Sequence, residues 1–434
     1  MGPGTAALRD ILRPPWVNRT LALVWAARVS MSAGRALAGV VAPLYLAALG
    51  FGGLELGELF VGVALASAVL SSAVGLLSDR LGRKPFLIVF PMLTAGAAVV
   101  FATVRSVPVL FVAAALGSFG RGSGAGAGAV GPYQPAESAL VTEDTPAEWR
   151  NSAFGRLQFG SSFGALAGSL LAMLAGSRHV RSAAALPTFR SAFVAIAAVS
   201  LVAGALALWM TEPAHPASSK RNGRRPRLPV RSRGLLVRLA ATNSVNGLAV
   251  GMMGPFLTYW FYRRFGAGAG EIGLLYAAVN AVSMSSALSA SGLARRWGLV
   301  RTVAVVRVLT AVLVLPLVLA PTFVLAGVAY ALRMVVQRAG MPLRQSYVVA
   351  MADPEERSSV AALSNLPSQV LMGVSPLASG YLLDDVSLSL PFELAGLLQL
   401  VNAAMYWYFF RHLPPAEEVA QQAGELVGDP VDRP

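Results

Sequence analysis

Residues 75–84 read "GLLSDRLGRK": Asp79, Arg80, Arg83 and Lys84 crowd one short turn between Gly75 and Gly82. The chain around it is 55% hydrophobic and only 13% charged, so this much charge in ten residues marks a boundary between two apolar stretches. The mean hydropathy is +0.61. Runs at 20–49, 85–104 and 301–320 are apolar over about 20 residues or more, enough to cross a bilayer core of about 30 Å. Lipid offers the backbone no hydrogen-bond partner, so such segments are expected to be helices, and the alternating pattern of a membrane barrel is absent. Residues 1–19 carry Arg9, Arg13 and Arg19 with no signal-peptide pattern.

Breaks at Gly, Pro and charge divide the chain into twelve spans: 20–46, 56–78, 85–104, 109–135, 153–175, 189–210, 234–260, 271–293, 301–320, 322–350, 358–383 and 390–411. An even number puts both termini on one side. Placing them in the cytoplasm gathers twenty basic residues on that face and six on the other, the bias expected of inner loops. The turn at 75–84 then lies in the cytoplasm. The net charge of +14 resides mainly in loops and helix ends, which argues for a lipid bilayer as partner and against nucleic acid. Only Lys84 and Lys220 are lysines, a compositional bias more than a site-specific choice.

Residues 211–233 are basic and Pro-rich, a solvated linker. The expected organisation is a tail at 1–19, a six-helix bundle at 20–210, the linker, a second six-helix bundle at 234–411, and a tail at 412–434. The halves repeat. "GFGGLELGELF" from Gly50 aligns with "GAGAGEIGLLY" from Gly266, pairing Glu55 with Glu271. "PAESALVTEDTPAEWRNS" from Pro135 aligns with "PLRQSYVVAMADPEERSS" from Pro342. Ordered matches of this kind indicate duplicated six-helix units, as in secondary transporters.

The turn at 75–84 nearly completes G-x-x-x-D-R-x-G-R-K/R, and with the span count, linker and repeats the chain resembles the major facilitator superfamily. The resemblance implies an all-α integral membrane protein of twelve helices in two six-helix repeats. It also implies that Gly75, Asp79, Arg80, Gly82, Arg83 and Lys84 form a gating latch, with Asp79 bridging to the second half and Arg83 holding it. Gly75 is expected to let helices approach closely. The second copy departs: Arg295 stands at the position of Asp79. Span 4 carries a further likeness, Arg121 heading "RGSGAGAGAVGP" with Arg150 following, which in proton-coupled members implies a role for Arg121 in proton transfer.

Ionisable side chains inside a membrane are costly and point to function, about 2.5–3.5 kcal/mol each on insertion scales. Arg35, Arg121 and Arg333 fall near the middle of spans 1, 4 and 10, which line the central cavity in the resembled family. Arg28 and Arg344 lie nearer the headgroups, where snorkelling serves as well as function. Arg307, on span 9, reads as structural. Glu137 is the candidate inner carboxylate, either in an ion pair with Arg344 or as a proton carrier. Asn246, Asn280, Gln337 and Asn365 add neutral polar groups to the substrate-binding set.

Cysteine is absent and His179, His215 and His412 fall in loops or at helix ends. No metal site, cofactor or catalytic residue is expected, which sets hydrolase and redox chemistry aside. The expected function is secondary active transport by alternating access, moving a small anionic or polar organic solute past Arg35, Arg121 and Arg333. Proton-driven multidrug efflux is the alternative, and a receptor or scaffold on the same fold a further one. The expected setting is a monomer in the plasma membrane.

Overall fold

The computed structural model describes residues 17–119, 131–176, 186–212, 232–297, 299–351 and 356–411. Within these ranges some side chains fall outside the description, among them Asp79, residues 285–299 and residues 341–350. Arg121, the three histidines, both tails and nearly all of the linker also lie outside it.

The described residues fold as α-helices joined by short turns. They are α1 (Arg19–Ala48), α2 (Gly53–Leu81), α3 (Lys84–Thr103), α4 (Val107–Gly117), α5 (Gln134–Asp144), α6 (Arg150–Leu171) and α7 (Leu186–Leu208). Then follow α8 (Arg233–Met253), α9 (Leu257–Phe265), α10 (Ala269–Trp297), α11 (Leu299–Val312), α12 (Val314–Leu319), α13 (Phe323–Met351), α14 (Arg357–Asp385) and α15 (Leu390–Phe410). Six helices among the described residues are long and apolar enough to span a membrane. The spans read from sequence reappear with three amendments. Span 7 divides into α8 and α9 at Gly254–Phe256, span 9 into α11 and α12 at Leu313, and span 4 into α4 and α5, reaching Asp144.

The helix ends follow local chemistry. Asn18 caps α1, its side-chain oxygen accepting from the Leu21 amide at 2.8 Å. Its amide nitrogen donates to Asp144 at 2.7 Å, tying the start of α1 to the end of α5. The repeated motif proves to be a capping device. Gly50 and Gly266 both take positive φ, +96° and +68°, where a glycine ends a helix without a Cβ clash. Two residues further on, the Gly52 amide donates to Glu55 at 2.8 Å, and the Gly268 amide to Glu271 at 3.1 Å. Each glutamate thus closes the first turn of the following helix.

Packing divides the chain into two compact units: Met1–Ala217 with Gly254–Ala281, and Ser218–Met253 with Val282–Pro434. In the first unit α1 is the central helix, with 83% of its apolar window buried against 28% for α2. Gly160, Gly164 and Gly168, spaced four apart, put one face of α6 directly on Trp25, Val29 and Ala33 of α1. A Cβ at Gly164 or Gly168 would run into the α1 backbone. In lipid such small-residue seams replace the hydrophobic drive that is missing between helices. Tyr45, Phe101, Phe189 and Phe193 form an aromatic cluster, with Tyr45 and Phe193 edge-on at 5.1 Å. The outer part of span 7 belongs here too. The Thr258 hydroxyl donates to the Gly39 carbonyl at 3.3 Å, and Phe256 meets Phe60 edge-on at 5.3 Å.

In the second unit α8 lies on α14, Gly247 against Ser368 and Gly251 against Met372 and Ser375. Arg307 sits 4.6 Å over the Tyr406 ring, a cation–π contact between α11 and α15 that bears out its structural reading.

Candidate functional site

The site in the first unit is built on α1. Arg28 and Arg35 stand seven residues apart, two turns, and so project on one face. Facing them is α5. The Arg28 guanidinium grips Glu137 at two points, Nε to Oε1 at 2.9 Å and Nη2 to Oε2 at 2.5 Å. Both side chains are sealed from solvent, 7% and 2% exposed. A fork-on-carboxylate pair is the arrangement that best offsets the cost of taking two charges out of water. Arg28 is therefore not a snorkelling residue. Among the described residues the cation that engages Glu137 is Arg28, because α1 and α5 pack within one bundle; the Arg344 side chain lies outside the description.

Arg35 closes the cluster. Its guanidinium lies against Gly131, where a Cβ would collide with it, and beside the Tyr133 ring. Tyr133 is 4% exposed, and its ring and the Arg35 guanidinium both crowd Gly131. The sequence reading passed over Tyr133. Its signal was its spacing, four residues before Glu137 and so one turn away on the same face. Below the ion pair lies a small pocket lined by Ala27, Arg28, Tyr133, Glu137, Met31 and Met210.

The turn at 75–84 is clamped from within the same unit. Arg83 pairs with both oxygens of Glu143, its Nη2 reaching Oε1 at 2.5 Å. Glu212 accepts from the amides of Arg83 at 2.8 Å and Lys84 at 3.3 Å, neutralising the exposed N–H groups of α3. Gly82 takes φ +85°, and the Glu212 carboxylate approaches the place a Cβ would occupy. A side chain there would be strained and would push the carboxylate away. Gly75 does not do what was expected. It is exposed, and a Cβ on it would meet nothing within 4 Å, so it faces outward rather than into a helix contact. Arg80 is exposed as well.

In the second unit Arg333 is 5% exposed on α13 and makes no ion pair among the described residues. Gln337, one turn on, carries a buried Oε1 without a hydrogen bond. Asn246 and Asn365 take part in a neutral network. The Asn243 amide donates to the Ser364 carbonyl at 2.9 Å and approaches Asn365 at 3.5 Å, Gln399 donates to Asn246 at 3.4 Å, and Asn402 to the Thr242 carbonyl at 2.8 Å. Asn280 is fully buried on α10, within the first unit.

A family profile described as Major Facilitator Superfamily matches residues 24–334 and 239–431. The chain belongs to the Major Facilitator Superfamily. Solved structures agree on the fold. A bacterial homologue of the human lysosomal transporter Spinster, inward-facing and unoccupied, is 15% identical; the match covers 92% of this chain and 98% of that one at a TM-score of 0.70. A D-xylose–proton symporter is 16% identical, with 90% and 97% covered at 0.68. The human organic anion transporter MFSD10 is 17% identical, with 91% and 100% covered at 0.54. Comparison with curated proteins finds no match. As a member of this superfamily the chain is a multi-pass membrane transporter, not an enzyme.

Proposed function

We propose that this superfamily member is a secondary active transporter that moves a small organic anion by alternating access through a central cavity lined by arginines. The observation that carries the reading is Arg333, held almost out of solvent with no ion-pair partner among the described residues. An isolated buried cation is expensive, and a ligand that supplies a carboxylate or phosphate offsets that cost through two parallel N–H···O bonds. Gln337 offers a neutral group one turn away. The same role is assigned to Arg35 and Arg121, the two cations of the first half that the sequence points to. A solved relative named as an organic anion transporter is compatible with this substrate class, although the likeness extends to fold alone.

Glu137 supports proton coupling: a proton on its carboxylate removes the negative partner of Arg28 and leaves that cation available. The same residue favours the second reading, proton-driven multidrug efflux. In either case the 75–84 turn serves as the latch, both termini face the cytoplasm, and the protein works as a monomer in the plasma membrane.

The test is a binding screen of the purified protein by thermal shift, followed by Arg333→Gln. A stabilising carboxylate or phosphate compound that no longer stabilises the variant supports the anion reading. Stabilisation of both proteins by cationic dyes, with no response to any anion, overturns it in favour of efflux.

A further inference from the structure

The pocket beneath Glu137 has room for the centre of a water over about 10 Å³, just enough for one molecule. Its lining mixes Arg28, Tyr133 and Glu137 with the apolar Ala27, Leu87 and Met210, and most of the surface it exposes is apolar. A carboxylate offers about four acceptor positions; Arg28 Nε hydrogen-bonds Oε1, while Oε2, close to Nη2 as an ion pair, accepts no hydrogen bond among the described residues. The remaining positions cannot reach bulk water directly, because Glu137 is 2% exposed.

The surroundings lead from this pocket to one end of the bundle. Met210 is followed at once by Thr211 and Glu212, and Glu212 reaches the amides of the 75–84 turn. On α5, Glu143 lies six residues beyond Glu137, about 9 Å along the helix. It is 46% exposed and paired with Arg83. Two carboxylates thus stand at the bundle end nearest the pocket. Among the described residues, the charged and titratable groups facing Glu137 are Arg28 and Arg35 from α1 and Tyr133 from its own segment; α3 presents Leu87 and Pro91, and Met210 follows the end of α7.

We propose that this pocket is a one-water proton inlet, carrying protons to Glu137 through the interior of the first bundle, with Tyr133 holding the water. The inlet rests on the proton-coupled reading of Glu137. A hydronium ion arriving in the pocket gives one proton to the carboxylate. Neutral water and a neutral carboxyl remain, and Arg28 keeps a carbonyl acceptor but loses its anionic partner. The solute then has no need to share its cavity with the proton's path.

The test uses infrared spectroscopy of the purified protein and needs no substrate. The wild type is expected to develop a protonated-carboxyl band on acidification, which Glu137→Gln removes. After dilution into D2O that band shifts as the proton exchanges. Ala27→Leu, which fills the pocket, and Tyr133→Phe, which keeps the ring but deletes the hydroxyl, are each expected to slow the shift by roughly tenfold, the worth of one ordinary hydrogen bond. Unchanged exchange in folded variants overturns the inlet while leaving Glu137 as the proton site. A band that survives Glu137→Gln overturns the proton reading itself. Where Ala27→Leu fails to fold, Tyr133→Phe decides alone, since it alters no shape.

Discussion

The two units solve one packing problem with opposite parts. In the first, the glycines sit on α6 and α1 supplies the larger partners Trp25, Val29 and Ala33. In the second, the glycines sit on α8, the repeat counterpart of α1, and α14 supplies Ser368, Met372 and Ser375. The polar content differs as well: a sealed ion pair in one, Arg28 with Glu137, and neutral amides in the other, Asn243, Asn246, Gln399 and Asn402. What duplication has kept is the four-residue spacing of close contacts. Which helix is thin, and whether the interior holds an ion pair, has drifted freely: the first unit pairs Arg28 with Glu137, whereas the second buries Arg333 with no ion pair among the described residues.

The sharpest way to break this comparison is to remove one member of each polar pair. Glu137→Leu leaves Arg28 buried and unpaired and is expected to cost about 3–5 kcal/mol. Adding Arg28→Met should return most of that loss, read as recovery of the midpoint in chemical denaturation. A single-mutant cost below that of a surface substitution would mean the pair is not sealed in the folded protein.

The seams come next. Gly168→Val and Gly247→Val each place a branched side chain against facing backbone, Ala33 in one case and Ser368 in the other. Overpacking of this kind costs about 1–3 kcal/mol, and the two variants should lose similar amounts although the glycines lie on non-equivalent helices. Unequal melting temperatures would show that one seam yields and the other does not.

The smallest effect belongs to the amides. Asn402→Leu removes a donor to the Thr242 carbonyl, and interhelical hydrogen bonds in membranes average about 0.6 kcal/mol. A loss approaching that of Glu137→Leu would make the two interiors energetically alike and end the contrast.

Much of this was legible in the residues. Spans show in sequence because lipid forces every backbone group into a helix, so apolar length reads directly as structure. The match of Glu55 with Glu271 was visible, and its reason, a cap on the preceding amide, is local. The Glu137–Arg28 pair was not legible: the repeat alignment points to Arg344, and the packing of α1 on α5 that brings Arg28 to the carboxylate leaves no mark in the sequence. The same holds for Glu143 and Glu212 at the 75–84 turn: both are distant in sequence and nothing in their neighbours announces the contact. Gly75 misled because the latch pattern suggests a tight helix approach, whereas its own face is exposed. Asn246 and Asn365 showed as polar groups on apolar spans, but the amides on α8 and α15 that engage them are distant in sequence.

The first compact unit takes its last pieces, Gly254–Ala281, from beyond its own contiguous stretch, which ends at Ala217. A ribosome adds about 5–20 residues each second, so roughly 3 to 13 seconds separate synthesis of Ala217 from that of Ala281. For roughly the first 2 to 8 seconds of that interval, until Thr258 is made, the nascent bundle has neither Phe256 to set against Phe60 nor the Thr258 hydroxyl to offer the Gly39 carbonyl. Biogenesis therefore cannot proceed as one finished half followed by another. The insertion machinery has to shelter an incomplete bundle until the chain's eighth crossing has begun.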